Sequence, residues 1–328
     1  MSGPEGRRCF LCGARALRPS ERTLVFAGRP RRYAVACDFC GLLIADGAED
    51  AAARTHLVER LGADVFHADE AAPYGLDVYT LRIAATLRSR GIEPIGPEQA
   101  AALRRPHSAL AAAARLFDLG PAGLGVSLGI LCRPHEVAGV CRALSADAGW
   151  TDEVVILVDD AAADTQPIAV GGMPPGAVRL GARPLGDDFA AQRNALQALS
   201  RNDWILQLDA DETLSPGTGG RLGALVKMAQ AQGVRSIGLP RRNLVDGVLS
   251  DLYPDTQYRL NHRGVRFDGR VHERPARPWQ QSMIALQGAI LHQLGRAHVE
   301  TRSQRYEAMT PGGGRLEEAE RLLQPYRA

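Results

Sequence analysis

Two carboxylates, Asp209 and Asp211, lie two positions apart directly after the apolar run at 204–208. On a turn that leaves a strand, carboxylates at this spacing can both face one divalent cation. Mg²⁺ and Mn²⁺ prefer oxygen ligands and often share them with substrate phosphates. Such a cation would neutralise the charge that develops on a departing diphosphate. The competing interpretation is that Asp211 and Glu212 only begin the next helix, where acidic residues suit the helix dipole.

Four of the six cysteines form a second chemical pattern, the pairs Cys9-x2-Cys12 and Cys37-x2-Cys40. Each pair can place two thiolates on one metal ion through a tight turn, and two pairs complete a tetrahedron. We see no secretory signal and expect a cytoplasmic, reducing location, which disfavours disulfides. The spacing therefore predicts a structural zinc ribbon in residues 1–45.

The chain has 328 residues, 39 Lys+Arg, 37 Asp+Glu and a formal net charge of +2. Its 45% hydrophobic and 23% charged content is typical of a globular protein and excludes a disordered or collagen-like chain. No apolar run approaches the roughly 20 residues of a membrane span. Residues 1–32 hold eight arginines and two glutamates. With few aromatic residues nearby, they favour a solvated face or a surface that grips a partner domain over nucleic-acid binding.

The spacing of apolar residues along the chain changes near residue 121. Residues 46–120 show helix-like apolar spacing at 49–61, 76–90 and 98–116, which predicts a helical connector or accessory domain. Its role in acceptor binding or in assembly, including an oligomer interface, stays open. From residue 125, strand-length apolar segments alternate with helix-like ones; the predicted strands are 126–131, 153–158, 177–180 and 204–208, and the predicted helices are 136–148, 189–199 and 221–232. This alternation predicts an α/β fold with a mostly parallel sheet covered by helices, whose ligands lie at the carboxyl ends of the strands.

Ordered motifs between residues 125 and 300 resemble family 2 glycosyltransferases of the GT-A fold. The nearest branch is that of lipopolysaccharide-core glucosyltransferases and peptide S-glycosyltransferases. The motifs are 155–160 with Asp164-Thr165, 188–194, 203–212, 253–260, 267–273 and 288–292. The resemblance implies a GT-A domain at 121–328 with a short helical tail.

The resemblance also implies a nucleotide-sugar site. Asp159 would hydrogen-bond the nucleotide base, and Glu136 lies near the position of a family acid after the first strand. Arg193 and Asn194 match an Arg-Asn pair beside the nucleotide. Arg259 is expected either to reach a phosphate or to pair with the aspartate four positions earlier, and the residues alone leave both open.

Metal and base roles follow from the same resemblance. Asp209 and Asp211 match the metal motif. Asp211 is expected to bind Mn²⁺ or Mg²⁺ more directly, and Asp209 is also expected to lie beside the nucleotide-sugar. His292 resembles the late histidine that often completes the metal shell, with His272 as its rival. Glu273 resembles the general base.

An inverting sugar transfer needs a base beside the acceptor, a cation at the diphosphate and a site closed to water. Asp255 is the second candidate base. Glu273 could instead be a structural partner of Arg270 or Arg274. The segment 161–163 is Ala-Ala-Ala where the family usually has Ser-Thr, and it borders the nucleotide.

We therefore predict a metal-dependent inverting glycosyltransferase that acts in a biosynthetic tailoring step. Its donor would be a UDP-, GDP- or dTDP-sugar. Its acceptor would be a soluble small metabolite or peptide, linked through oxygen or sulfur. One alternative is a nucleotidyltransferase, although residues 128–136 lack the expected Gly-rich loop. The other is a non-catalytic regulator whose zinc ribbon binds nucleic acid.

Overall fold

A computed structural model describes residues 6–270, 272–309 and 315–327. Two large hydrophobic cores organise the chain. The first core is drawn from residues 9–116 with Ile284 added, and the second from residues 119–290. The predicted zinc ribbon at 1–45 and the segment at 46–120 thus share the first core, because cysteines of the ribbon and apolar residues of the following helices pack together.

The N-terminal unit mixes short strands with three helices. Its elements are β1 (Leu17–Pro19), β2 (Thr23–Phe26), β3 (Arg29–Arg32), β4 (Val35–Cys37), β5 (Leu43–Ile44), α1 (Asp50–Arg60), β6 (Val65–Phe66), β7 (Tyr74–Gly75), α2 (Val78–Thr86), β8 (Arg90–Pro94), α3 (Gly96–Ala102) and β9 (Ala114–Asp118). The strands form the sheets β1-β4-β5-β7, β2-β3 and β6-β9-β8. Residues 46–120 are therefore a mixed α/β segment and not a helical one.

The helix predicted over 98–116 is wrong in its second half. The helix α3 ends at Ala102, and the residues from Ala114 form a strand antiparallel to β8. Pro106 lies between the two, and a proline disfavours helical backbone in the residue before it. In β9 the buried residues Ala114 and Leu116 alternate with exposed ones, which is the period of a strand with one buried face.

The C-terminal unit carries one large sheet and the helices that cover it. Its elements are β10 (Val126–Cys132), α4 (Val137–Asp147), β11 (Val154–Val158), β12 (Ala163–Pro167), β13 (Val178–Ala182), α5 (Phe189–Ala198), β14 (Trp204–Asp209), β15 (Glu212–Leu214), α6 (Gly219–Ala231), β16 (Ser236–Val245), β17 (Val248–Leu249), β18 (Asp255–His262), β19 (Arg266–Asp268), β20 (Arg274–Ala276), β21 (Ser282–Ile284), β22 (Ile290–Leu294), α7 (Arg296–Met309) and α8 (Leu316–Leu323). The strand order is β12-β13-β11-β10-β14-β18-β16-β22-β15, with β17 and β21 also paired to β16.

Strands β13, β11, β10 and β14 are parallel to one another, and β18 is the first antiparallel neighbour of β14. Every residue of β11 is buried, as expected for a strand covered on both faces. Val155 and Leu157 pack with Leu196 of α5, whereas the other residues of β11 join the second core with Leu144 of α4. The predicted α/β class, with parallel strands and covering helices, is confirmed.

Parallel pairing brings three strand ends to one edge of the sheet. Cys132 of β10 is level with Val158 of β11, and Leu131 of β10 is level with Asp209 of β14. Asp159 follows directly and donates its backbone N–H to the carbonyl of Cys132 at 2.8 Å. Asp159 and Asp209 therefore share the edge at which ligands of such sheets bind. Within the described ranges, no helix has the length and apolarity needed to cross a membrane.

Candidate active site

Two arginines and two carboxylates form a closed ring at the edge of the sheet where β10, β11 and β14 end. We call these residues the charged ring: Arg193, Asp209, Arg259 and Glu273. Arg193 donates from Nη2 to Oδ1 of Asp209 at 2.7 Å, and its Nε contacts Oε1 of Glu273. Arg259 lies 3.3 Å from Oδ2 of Asp209 through Nη2 and 3.3 Å from Oε1 of Glu273 through Nη1. The side chain of Arg193 is 2% exposed and that of Asp209 is 34% exposed, so the ring opens to solvent at Asp209.

Asp209 is crowded by other carboxylates despite its two arginine partners. Its partial burial, together with the nearby charges of Glu212, Asp211 and Glu273, raises the pKa of Asp209 to about 7, although Arg193 acts in the opposite direction. A nearby cation would relieve this crowding, because an opposite charge favours the ionised form of a carboxylate.

Asp211 lies in the turn between β14 and β15 and faces His292 of β22. Oδ2 of Asp211 is 3.2 Å from Nε2 of the histidine, and Nδ1 of His292 is 2.7 Å from Oδ1 of Asn243. An amide oxygen only accepts, so we assign the proton of His292 to Nδ1. Nε2 faces the carboxylate oxygen: it donates to Asp211 when His292 is protonated, and its lone pair can bind a cation between the two when His292 is neutral.

The pKa of Asp211 lies below its ordinary value. Partial burial would raise it, but the hydrogen bond and charge of His292, a backbone N–H and the charge of Arg241 together outweigh burial. His272, the rival histidine, lies between β19 and β20, directly before Glu273. In the described part of the chain, the only group of three or more His, Cys, Asp or Glu ligand atoms within 4.8 Å of one another is formed by four cysteines. The structure thus brings Asp211 and His292 together without gathering Asp209 into one shell with them.

Asp255 is held by donors on three sides. Arg241 donates to Oδ2 from Nη2 at 2.6 Å, Asn243 donates to Oδ2 at 2.9 Å, and Gln257 donates to Oδ1 at 2.7 Å. Burial would raise the pKa of Asp255, but Arg241 and the amide donors hold it below the usual range. A carboxylate so engaged is a weak proton acceptor, and Glu273, which contacts Arg193 and Arg259, is engaged in a similar way. The arginine partner of Asp255 is Arg241, whereas Arg259 contacts Asp209 and Glu273.

The other predicted nucleotide residues make local contacts. Oδ1 of Asp159 accepts the backbone N–H of Leu185 at 2.8 Å. Glu136 accepts the backbone N–H of Arg133 at 2.6 Å and so caps the turn after β10. Asn194 donates to the carbonyl of Phe267 at 2.9 Å and accepts its N–H at 2.8 Å. The amide of Asn194 therefore ties α5 to β19.

Sequence reasoning missed Arg241 and Asn243. Arg241 bridges Glu212, at 2.8 Å, and Asp255, and Asn243 connects Asp255 with His292. The available signal was their position: the two polar residues are two apart in β16, where alternate residues share one face of a mostly apolar strand.

The four cysteines of the N-terminal unit form a second, separate site. All four are buried, and their sulfur atoms lie within 4.8 Å of one another, with Cys9 to Cys40 at 3.8 Å and Cys12 to Cys37 at 3.7 Å. A tetrahedral zinc with Zn–S bonds of about 2.3 Å has sulfur atoms about 3.8 Å apart. The glycine after each pair has a left-handed φ, of 78° and 87°, which closes the two knuckle turns. The cluster could hold a structural metal.

Cys37→Ser is expected to abolish metal binding and to lower the melting temperature of the N-terminal unit by many degrees. The substitution removes one of four buried ligands, and binding of a structural zinc is worth about 10 kcal/mol or more in isolated zinc fingers. Zinc content by mass spectrometry and calorimetric unfolding measure both effects. Cys141→Ser, in α4 and outside the cluster, is the control and should keep both values. A Cys37→Ser variant that keeps the zinc content and melting temperature of the wild type would contradict the prediction.

The chain matches no protein-family model. A stretch of 91 residues is 29% identical to the SPbeta prophage-derived glycosyltransferase SunS of Bacillus subtilis (strain 168). The resemblance to glycosyltransferases is confirmed. A stretch of 90 residues is 38% identical to the succinoglycan biosynthesis protein ExoO of Rhizobium meliloti (strain 1021). Each stretch covers 27% of this chain, and the chain spans 25% of ExoO and 21% of SunS, a quarter or less of the relatives that it matches.

Two solved structures of the S. aureus protein TarS are similar to this chain over 56% of its length. The first has 8% identity and a TM-score of 0.32, with 40% of TarS covered. The second, residues 1–349 in complex with UDP, has 9% identity and a TM-score of 0.33, with 64% of that chain covered.

Proposed function

We propose that the protein is a metal-dependent, inverting glycosyltransferase of the family 2 type. It would transfer a sugar from a nucleotide-diphospho-sugar to an acceptor. The observation that carries the proposal is the charged ring beside the Asp211–His292 pair, at the carboxyl ends of parallel strands. Ligands of open α/β sheets bind at this edge, and a related stretch occurs in the glycosyltransferase SunS.

The arginines of the charged ring suit an anionic donor. Nη1 of Arg193 is buried and has no hydrogen-bond partner among the described residues. A buried donor without an acceptor is costly, and a planar guanidinium matches phosphate oxygens. We propose that the diphosphate approaches Arg193 and Arg259, while Asp159, at the end of β11, hydrogen-bonds the base.

Asp211 and His292 would hold the cation. Carboxylate oxygen and neutral imidazole nitrogen are both ligands of Mn²⁺, and the assigned proton on Nδ1 leaves Nε2 available. When bound there, the cation would neutralise charge on the leaving diphosphate. Asn243 orients the histidine by accepting a hydrogen bond from Nδ1, as carboxylates and carbonyls commonly do for metal-bound histidines.

Glu273 would accept the acceptor's proton. The acceptor oxygen or sulfur forms a bond to the anomeric carbon as the bond from that carbon to the diphosphate oxygen breaks, and the diphosphate keeps the electron pair. Attack from the opposite face inverts the anomeric centre. A carboxylate suffices as base for a hydroxyl or a thiol, because the proton leaves as the new bond forms. We therefore include metabolites and peptides with either group as acceptors.

Thermal unfolding with UDP-, GDP- and dTDP-sugars, with and without Mn²⁺ or Mg²⁺, tests the proposal. A donor at 100 times its dissociation constant stabilises the folded state by about 2.7 kcal/mol, which raises the melting temperature by several degrees. We expect the rise for one nucleotide only, with cation present. The matching nucleoside monophosphate, which lacks the diphosphate, is the control. Equal melting temperatures with every donor and cation would refute the proposed glycosyltransferase function.

A further inference from the structure

Adjacent arginines at the first zinc knuckle, residues 9–13, have partners in different units. Arg7 donates from Nε to Oδ2 of Asp50 in α1 at 2.7 Å, and both side chains are about one-third exposed. Arg8 donates from Nη2 to Oδ1 of Asp251 at 2.6 Å, and these side chains are 7% and 9% exposed. Arg8 therefore connects the knuckle to the loop at 250–254, which leads into β18.

The guanidinium of Arg8 joins three chain segments. Nη1 donates to the carbonyl of Gly13 at 2.9 Å, within the knuckle, and to the carbonyl of Tyr253 at 2.6 Å. Nε donates to the carbonyl of Arg327 at 2.8 Å, and the group lies 4.4 Å from the ring centre of Tyr326. A lysine could not satisfy these acceptors together, because only the planar fork presents donors in several fixed directions.

Asp251 is the residue of the loop at 250–254 that pairs with Arg8. Burial would raise its pKa, but the charges of Arg8 and Arg15 hold the pKa of Asp251 below its usual value. Arg15 lies 3.1 Å from the same carboxylate oxygen. The loop is thus attached to the knuckle through a nearly buried ion pair, and removal of one partner from such a pair leaves the other charge uncompensated.

The same loop reaches the proposed cation site through Asn243. Its Nδ2 is 3.5 Å from the carbonyl of Leu252 and 2.9 Å from Oδ2 of Asp255. Its Oδ1 is 2.7 Å from Nδ1 of His292, whose Nε2 is 3.2 Å from Asp211. Continuous polar contacts therefore lead from the loop to the histidine that faces Asp211.

We propose that the cysteine-bound metal and Arg8 position the cation site of the C-terminal unit. The folded knuckle fixes Arg8, and Arg8 holds the loop at 250–254 in place. The placed loop keeps Asn243 in the orientation that aims His292 at Asp211. Arg8 is a positioning residue, since it touches none of the proposed ligands. The inference rests on the proposed function for the identity of the cation site.

Titration of full-length protein with Mn²⁺ alone, followed by the electron paramagnetic resonance signal of free Mn²⁺, tests this coupling without turnover. Coupling between sites is worth about 5- to 150-fold in affinity, so we expect Arg8→Met to weaken Mn²⁺ binding about tenfold. Arg7→Met is the matched control, and we expect its affinity within about twofold of wild type, the scatter allowed for substitutions outside such a coupling. Zinc content should be unchanged in both variants.

Asp251→Asn provides the same test if Arg8→Met does not fold, because the amide keeps the shape of the side chain and one acceptor oxygen while it removes the charge. Equal Mn²⁺ affinities in the wild type and in whichever of these two variants folds would overturn the coupling and leave the proposed function intact. A wild-type protein that binds neither Mn²⁺ nor any nucleotide sugar would overturn both.

Discussion

Asp211→Asn is expected to reduce sugar transfer by about 10²- to 10³-fold, because a bound cation supplies several kcal/mol to the transition state and each 1.4 kcal/mol is about tenfold in rate. An amide oxygen is a weaker, uncharged ligand. The side chain of Asp211 is 44% exposed and contacts His292, so the substitution should cost little stability. Initial rates at several Mn²⁺ concentrations, with the donor found by thermal shift, measure the loss.

Asp203→Asn is the matched control, since Asp203 directly precedes the amino end of β14, the strand whose carboxyl end leads to Asp211. Asp203 is 61% exposed and lies 3.0 Å from Arg263. An exposed pair of this kind is worth about 0–1 kcal/mol, so activity and cation dependence should stay at wild-type levels. Full activity of Asp211→Asn with the wild-type dependence on Mn²⁺ would show that Asp211 is no metal ligand.

The strands of the parallel part of the sheet could be predicted because their burial leaves a clear signal. Residues 154–158 are a continuous apolar run and residues 204–208 are apolar except for Gln207, and the structure has β11 and β14 there. Such runs arise when both faces of a strand are covered. The N-terminal unit was harder, since strands of two to five residues carry little periodicity and the spacing of 98–116 satisfied a helix as well as a strand.

The residues of the candidate site also differ in whether the local sequence predicts their position. Asp209 and Asp211 follow an apolar strand, so their place at the edge of the sheet follows from local sequence. The contacts of Asn243 and Arg241 depend on register between distant strands: Asn243 pairs with His292 across β16 and β22, and Arg241 pairs with Asp255 across β16 and β18. A slip of one residue would turn these side chains to the other face, and no local pattern specifies that register.

Contacts between residues distant in the sequence also explain why the sequence allowed two interpretations of Glu273, a general base or a structural partner of an arginine. The structural alternative named its sequence neighbours Arg270 and Arg274. In the structure Glu273 contacts Arg193 of α5 and Arg259 of β18. These arginines can orient the carboxylate toward an acceptor, so a structural role and a catalytic role are not exclusive. A substitution that keeps the shape and removes the charge can separate them.

Glu273→Gln is expected to reduce kcat by about 10²- to 10⁴-fold, the usual contribution of a positioned general base. The amide oxygen can still accept from Nε of Arg193, so the charged ring should keep its shape and the donor affinity should change little. Rates with saturating donor, together with donor binding by calorimetry, separate the two effects. Asp255→Asn is the comparison. It removes the negative charge that faces Arg241 inside a buried network, so it should lower the free energy of unfolding and change kcat less than Glu273→Gln does. If Glu273→Gln turned over at the wild-type rate while Asp255→Asn lost kcat at unchanged donor affinity, Asp255 would be the base and Glu273 only the partner of two arginines.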